Sequence, residues 1–343
     1  MIPVRHRLLP ALAAIAFSFT VHAGDPELEE AKAALDRQDP VRAAAIYERL
    51  ARRGNPVAQN NYATLLFKGL GVPQNRVQAH EWFLKAARQG QTGAQYNLGI
   101  MYLRGQGVAQ NLTEAARWFE RAAVHGNRKA QFQLGLAYYH GRGVKQDLQK
   151  AATWFRRAAE QGHRESQYNL GVMYARGKGV ERDPGAAIGW FEKAASAGDP
   201  RAALSLGLVY LRGEGTEPEP AQAARWFRVA ADQGVAEAQL NLGGLYARGA
   251  GVEQDYGKAF DWFLKAARQG QADAQFNIGL LYAQGLGREQ DLAQAHAWFS
   301  LSREGGNELA EQNLAILEEQ LDEETLQRAA RLRNSLMQQA EGE

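Results

Sequence analysis

The sequence predicts an all-α chain, a solenoid of seven 36-residue helix-turn-helix repeats closed at both ends by helical caps. Three observations predict it. Trp82, Trp118, Trp154, Trp190, Trp226, Trp262 and Trp298 are separated by 36 residues every time, without an insertion, and each is followed by Phe. A fixed period between roughly 20 and 50 residues marks stacked supersecondary units. Within each period the apolar residues recur at helical spacing, and nothing in the chain reads as a β-strand.

Taken in order, the chain begins with Arg5, His6 and Arg7 ahead of an apolar run over 8–21, and Val21 and Ala23 then place small residues where a signal peptidase reads. Residues 1–23 read as a secretory leader cleaved after Ala23. The run is about 14 residues, short of the ~20 that span a bilayer, so an uncleaved anchor is the weaker reading. The chain has no Cys, which excludes lipid attachment through Cys, disulfides and Cys-based zinc sites together. The mature product is expected to be exported, periplasmic or secreted, with no stable membrane insertion.

Residues 24–55 read as an N-terminal helical cap, a degenerate helix pair over 26–37 and 40–53 with Tyr47 in the aromatic column. Residues 56–307 hold the seven repeats. In one of them Ala130, Leu134, Gly135 and Tyr138 share a face of the first helix, while Ala151, Trp154, Phe155, Ala158 and Ala159 share a face of the second. Glycine costs up to ~1 kcal/mol inside a helix. Its recurrence at Gly99, Gly135, Gly171, Gly207, Gly243 and Gly279 therefore implies close approach by a neighbouring helix, on the face that carries Trp. Pairs such as Gly105/Gly107 and Gly177/Gly179 end the first helix. Asn75, Asn111, Asp147, Asp183, Asp255 and Asp291 cap the second, with Pro184 at a first helical position. Residues 308–343 read as a C-terminal cap of two charged amphipathic helices, needed because an open solenoid end leaves an apolar face in water.

These residues resemble the Sel-one-like (Sel1-like) repeat, a relative of the tetratricopeptide repeat with the pattern A-x-A-x-Y-x-L-G-x-x-Y-x-x-G-x-G-V, then D, K-A, W and A-A-x-x-G. The resemblance implies a right-handed α/α superhelix with a concave and a convex face. Departures from the pattern are Ala63 in the glycine column, Glu217-Pro218-Glu219-Pro220 in the fifth turn, Arg288 in place of Val, and Ser302-Arg303 in place of Ala-Ala.

Forty basic and 38 acidic residues give a formal charge of +2, and Arg5 and Arg7 lie in the leader. A neutral chain argues against nucleic acid as partner, because binders of nucleic acid carry a basic excess. Some members of the resembled family are linked to β-lactamase activity, but a serine β-lactamase needs Ser-x-x-Lys. None of Ser18, Ser166, Ser196, Ser205, Ser300, Ser302 or Ser335 has Lys three positions later. His80, His125, His140, His163 and His296 are scattered over the repeats. No catalytic residue, metal ligand or cofactor is assigned.

By resemblance to tetratricopeptide repeats, positions opposite the apolar face of the first helix line the concave surface. Two positions after the first Ala stand Tyr96, Phe132, Tyr168 and Phe276; ten positions after it stand Arg104, His140, Arg176, Arg212 and Arg248. Rings beside arginines suit a peptide groove, because rings supply apolar area and guanidinium forks hold carboxylates. The ring column also fits packing between successive repeats, and both readings stay open. The expected function is an exported, non-enzymatic scaffold that binds another protein or peptide in envelope signalling, exopolysaccharide or cell-wall assembly, or host interaction. A hydrolase of β-lactamase type and a glycan or peptidoglycan binder are the alternatives.

Overall fold

A computed structural model describes residues 25–341 of the chain, so the expected leader lies outside the described residues. Among those residues there are eighteen α-helices and no strand. They form two compact units that divide after Asp183. The first holds α1 (Pro26–Asp36), α2 (Pro40–Arg52), α3 (Pro56–Lys68), α4 (Arg76–Arg88), α5 (Thr92–Arg104), α6 (Leu112–Val124), α7 (Arg128–His140), α8 (Leu148–Glu160) and α9 (Arg164–Arg176). The second holds α10 (Pro184–Ser196), α11 (Pro200–Arg212), α12 (Pro220–Asp232), α13 (Ala236–Arg248), α14 (Tyr256–Arg268), α15 (Ala272–Gln284), α16 (Leu292–Glu304), α17 (Glu308–Glu318) and α18 (Glu323–Glu341). From α1 to α9 and from α10 to α17 each helix packs on its neighbour in sequence, and α18 packs back on α16.

The helix ends are set locally. The Asn127 side chain accepts from the Ala130 amide at 3.0 Å and starts α7; Asp147 accepts from the Lys150 amide at 2.9 Å and starts α8. In the fifth repeat Glu219 makes no side-chain cap bond, and Pro220, which has no amide hydrogen to satisfy, opens α12. The paired glycines have separate roles, although the sequence reading gave both to helix termination. Gly105, at φ +66°, closes α5 in the left-handed conformation. At Gly107 a Cβ would stand 2.3 Å from the Arg76 carbonyl oxygen, so this glycine lets the turn rest on the first residue of α4 in the preceding repeat.

The buried ring of the repeat is Phe, which corrects the expectation that the helical glycine faces Trp. A Cβ on Gly135 would meet the Phe155 ring at 2.7 Å, and Gly99, Gly207, Gly243 and Gly279 stand in the same relation to Phe119, Phe227, Phe263 and Phe299. Phe155 has no exposed surface. Trp154, Trp190 and Trp226 are half-buried at the edge of the core, while Trp82, Trp118, Trp262 and Trp298 are buried. A cation three residues on covers five of the seven indoles: Lys85 on Trp82 at 4.1 Å, Arg121 on Trp118 at 4.5 Å, Arg157 on Trp154 at 4.6 Å, Lys193 on Trp190 at 4.1 Å and Lys265 on Trp262 at 4.0 Å.

Successive repeats are also tied by buried amides. Gln131 donates to the Ala123 carbonyl at 3.1 Å and accepts from Gln161 at 2.8 Å, so one side chain joins the preceding repeat to the end of the second helix of its own. Gln239, with Ala231 and Gln269, repeats the arrangement in the second unit. The fifth repeat has Ala203 at this position, and Gln233 turns back to its own helix at Val229.

Replacing Phe155 with Ala should cost about 3 to 5 kcal/mol, as deletion of a fully buried ring does. Trp154→Ala should cost less, because part of its ring is already in contact with water and Arg157. Urea unfolding followed by circular dichroism reads both; equal losses would contradict the assignment of the core to Phe.

Candidate functional site

The two columns singled out in the sequence lie on the first helix of each repeat, and the structure separates them. The ring column is core. Phe132 is only 4 % and Tyr168 only 3 % exposed. Phe132 packs between Phe155, with centroids 5.9 Å apart, and His163, the cap residue just ahead of the next repeat's first helix, at 4.7 Å. Tyr96 lies half-buried 5.9 Å from Phe119, and Phe276 half-buried 5.4 Å from Phe299. Burial pushes the Tyr96 phenol up to about 12, against the opposing pull of the Arg104 guanidinium two turns along the same face.

An exposed aromatic stripe is therefore not what Phe132 and Tyr168 form. Phe132 meets the phenylalanine on the second helix of its own repeat, so the first helix buries a wider arc than a one-sided helix wheel allows. In α3 this arc takes in every residue from Val57 to Phe67.

The basic column is on the surface. Arg104 and Arg176 in the first unit, and Arg212 and Arg248 in the second, are all exposed. Arg212 lies 3.5 Å from Glu214, and the Arg248 guanidinium lies over Gly244, one turn back on its own helix. His140 occupies the same column half-buried; its Nε2 is buried without a hydrogen-bond partner, and burial together with Arg142 pushes the imidazole pKa down.

His140 and Arg142 also line a pocket of about 70 Å³ between α5, α6 and α7, whose walls include Leu103, Leu112, Phe119 and Leu136. Only His140 of this group carried a signal in the sequence. The rest are apolar repeat positions and one turn residue.

One cluster has the composition of a hydrolytic triad. His163 takes the N-cap position of α9, where Nδ1 accepts from the Ser166 amide at 3.3 Å and stands 3.1 Å from Ser166 Oγ. Glu165 lies 3.6 Å from the same nitrogen. A triad needs the carboxylate on one ring nitrogen and the hydroxyl on the other. Here both use Nδ1, and Ser166 is fully buried. The cluster is a helix cap. Among the described residues no group of three His, Cys, Asp or Glu is placed to hold a metal ion, and no helix is long and apolar enough to cross a membrane.

Burial, reinforced by Arg128, Lys129 and Arg164 and opposed by Glu165, pushes the His163 pKa down to about 4. The folded state thus favours the neutral ring, whose bare Nδ1 caps the helix. This contribution is complete above the ordinary histidine value of ~6.5 and is lost as pH falls from there through about 4. Thermal melts across this range should show the wild type losing stability faster than His163→Asn, which caps without titrating; parallel curves would contradict the capping role.

The family model described as the Sel1 repeat matches residues 35–55, 56–91, 92–127, 128–163, 164–199, 200–235, 236–271 and 272–307. Among solved structures, a Sel1 repeat protein from Oxalobacter formigenes is similar at 31 % identity and a TM-score of 0.63, over 90 % of this chain and 98 % of that one. The protein c5321, a protective antigen present in uropathogenic Escherichia coli strains that displays an SLR fold, is similar at 26 % identity and a TM-score of 0.59, over 92 % and 84 %. No curated protein matches the chain.

Proposed function

The chain belongs to the Sel1 repeat family, and on that premise we propose that it is an exported, non-catalytic scaffold that holds another protein of the periplasm or cell envelope by its arginine column. The observation that carries this reading is that Arg104, Arg176, Arg212 and Arg248 recur at one repeat position and are exposed there. An arginine fork on a carboxylate gives two parallel hydrogen bonds and fixes the partner's orientation.

The charged start, apolar run and small residues over 1–23 support export. The similarity to a protective antigen of Escherichia coli is in keeping with it. Envelope signalling, exopolysaccharide or cell-wall assembly, and host interaction are the processes such a scaffold would serve. The glycan alternative loses its main support, since Phe132 and Tyr168 are buried and cannot stack on a sugar. The hydrolase alternative has neither Ser-x-x-Lys nor a working arrangement at Ser166.

Cross-linked partners should be recovered from the envelope fraction with a chain whose N-terminus, read by mass spectrometry, lies near Gly24. An intact Met1 on cytosolic protein would contradict export. In titration calorimetry with the recovered partner, Arg104→Ala/Arg176→Ala should weaken binding at least about fivefold, the scale of one net hydrogen bond of roughly 1 kcal/mol. Lys at these positions should restore little, because an ammonium cannot fork. Unchanged affinity would place the partner elsewhere on the repeats.

A further inference from the structure

The near-neutral net charge of the chain conceals a division between its two units. Residues 25–183 carry 24 Lys and Arg against 15 Asp and Glu, a net +9; residues 184–341 carry 14 against 22, a net −8. Part of the difference lies on the turns between paired helices. Arg142, Lys145 and Lys178 stand there in the first unit, with Glu181 the exception, and the same columns hold Glu214, Glu217, Glu253 and Glu289 in the second. The acidic charge is densest over residues 304–324, which hold eight Asp and Glu and no Lys or Arg.

Each unit carries one surface feature among these charges. On the acidic side, α17 exposes Leu309 at 53 % and Ile316 at 56 %. The two are seven residues apart and so share one helix face. Glu308 and Glu319 flank them and are exposed. On the basic side is the pocket walled by Leu103, Leu112, Phe119 and Leu136 and lined by His140 and Arg142. Arg104 follows Leu103 directly, and Lys145 lies on the same turn as Arg142. The acidic residue in the first turn of α6, Glu114, is held by Arg117 at 2.7 Å, which leaves the surroundings of the pocket positive. His140 Nε2 is buried without a hydrogen-bond partner.

We propose that a second copy of this chain docks here: the acidic helix α17 of one copy lies over the basic pocket of the other, with Ile316 or Leu309 entering between Leu103, Leu112 and Leu136 and the glutamates meeting Arg104, Arg142 and Lys145. Opposite charge steers and orients the encounter and supplies the salt-sensitive share of the affinity, and an apolar side chain leaving water adds to it. The two surfaces differ, so the contact is heterologous. It closes as a dimer if both copies reciprocate and extends into larger assemblies if they do not. The inference goes beyond the scaffold reading and does not rest on it: a strictly monomeric chain would leave binding of an envelope protein untouched.

Sedimentation velocity of the full chain tests it directly. Association is expected at about 0.05 M salt and should be lost at about 0.5 M, where the screening length is several-fold shorter than the reach of the charges. Arg142→Glu/Lys145→Glu and Glu308→Lys/Glu319→Lys should each be monomeric alone. Mixed one to one they should form a complex, because the first variant keeps its acidic helix and the second its basic pocket. Ile316→Asp, which leaves every wild-type acidic residue in place, should weaken association at least about tenfold. Circular dichroism checks that all variants are folded.

A wild type that stays monomeric at low salt would overturn the proposal, as would charge reversals that leave association unchanged or a mixture that forms no complex. An acidic segment of another protein as the true occupant would give the first of these results.

Discussion

One contact recurs in five of the seven repeats: the ring of a phenylalanine lying on the backbone of a glycine in the paired helix. At Gly135 the space for even one carbon is taken by Phe155. Glycine there costs helix stability, and the structure recovers it by bringing the two helices of a repeat closer than any side chain would allow. Once that distance is set, the flanking positions have little freedom. Ala130, Ala151, Ala158 and Ala159 are almost without exposed surface, because the gap admits nothing larger. The spacing of 20 residues from each such glycine to its phenylalanine is part of that geometry.

The same geometry limits where function can vary. Positions that touch the paired helix or the neighbouring repeat are committed to packing, and the tyrosine and phenylalanine column is among them. What remains is the turn between helices, the last turn of the first helix and the outer face of the second. Charge collects at these places: cations over the tryptophan edges, arginines at the end of the first helix, and turns that are basic in the first unit and acidic in the second. The repeat supplies a rigid frame, and its unconstrained columns carry what recognition the chain has.

Much of the fold was legible in the sequence because periodicity is a sum of local rules. Helix faces, glycine stops and Asn or Asp caps each act within a few residues, so Asn127, Asp147 and Gly105 announce their roles without tertiary knowledge. The roles that depend on the third dimension were not legible. Trp and Phe are adjacent in every repeat, and nothing in their order says that Phe155 is sealed while Trp154 sits at the edge. The ring column fits a groove or packing in the sequence alone, because a helix wheel has one apolar face, whereas this helix is enclosed on several sides. The pocket near His140 arises where three helices meet and has no linear signature. The division of charge was readable, but the near-zero sum hid it. At the candidate site, the arginines were legible as surface residues because nothing else explains a recurrent charge, and the rings were not.

The glycine contact sets the spacing of the two helices in the repeats that hold it. Hydrogen exchange measured by mass spectrometry on Gly135→Ala tests it most directly. The added methyl must push Phe155 and its helix outward, so protection should fall in α7 and α8 and in their neighbours α6 and α9, while peptides from the second unit keep wild-type rates. Protection unchanged in α7 and α8, or lower by the same factor in every helix, would contradict it.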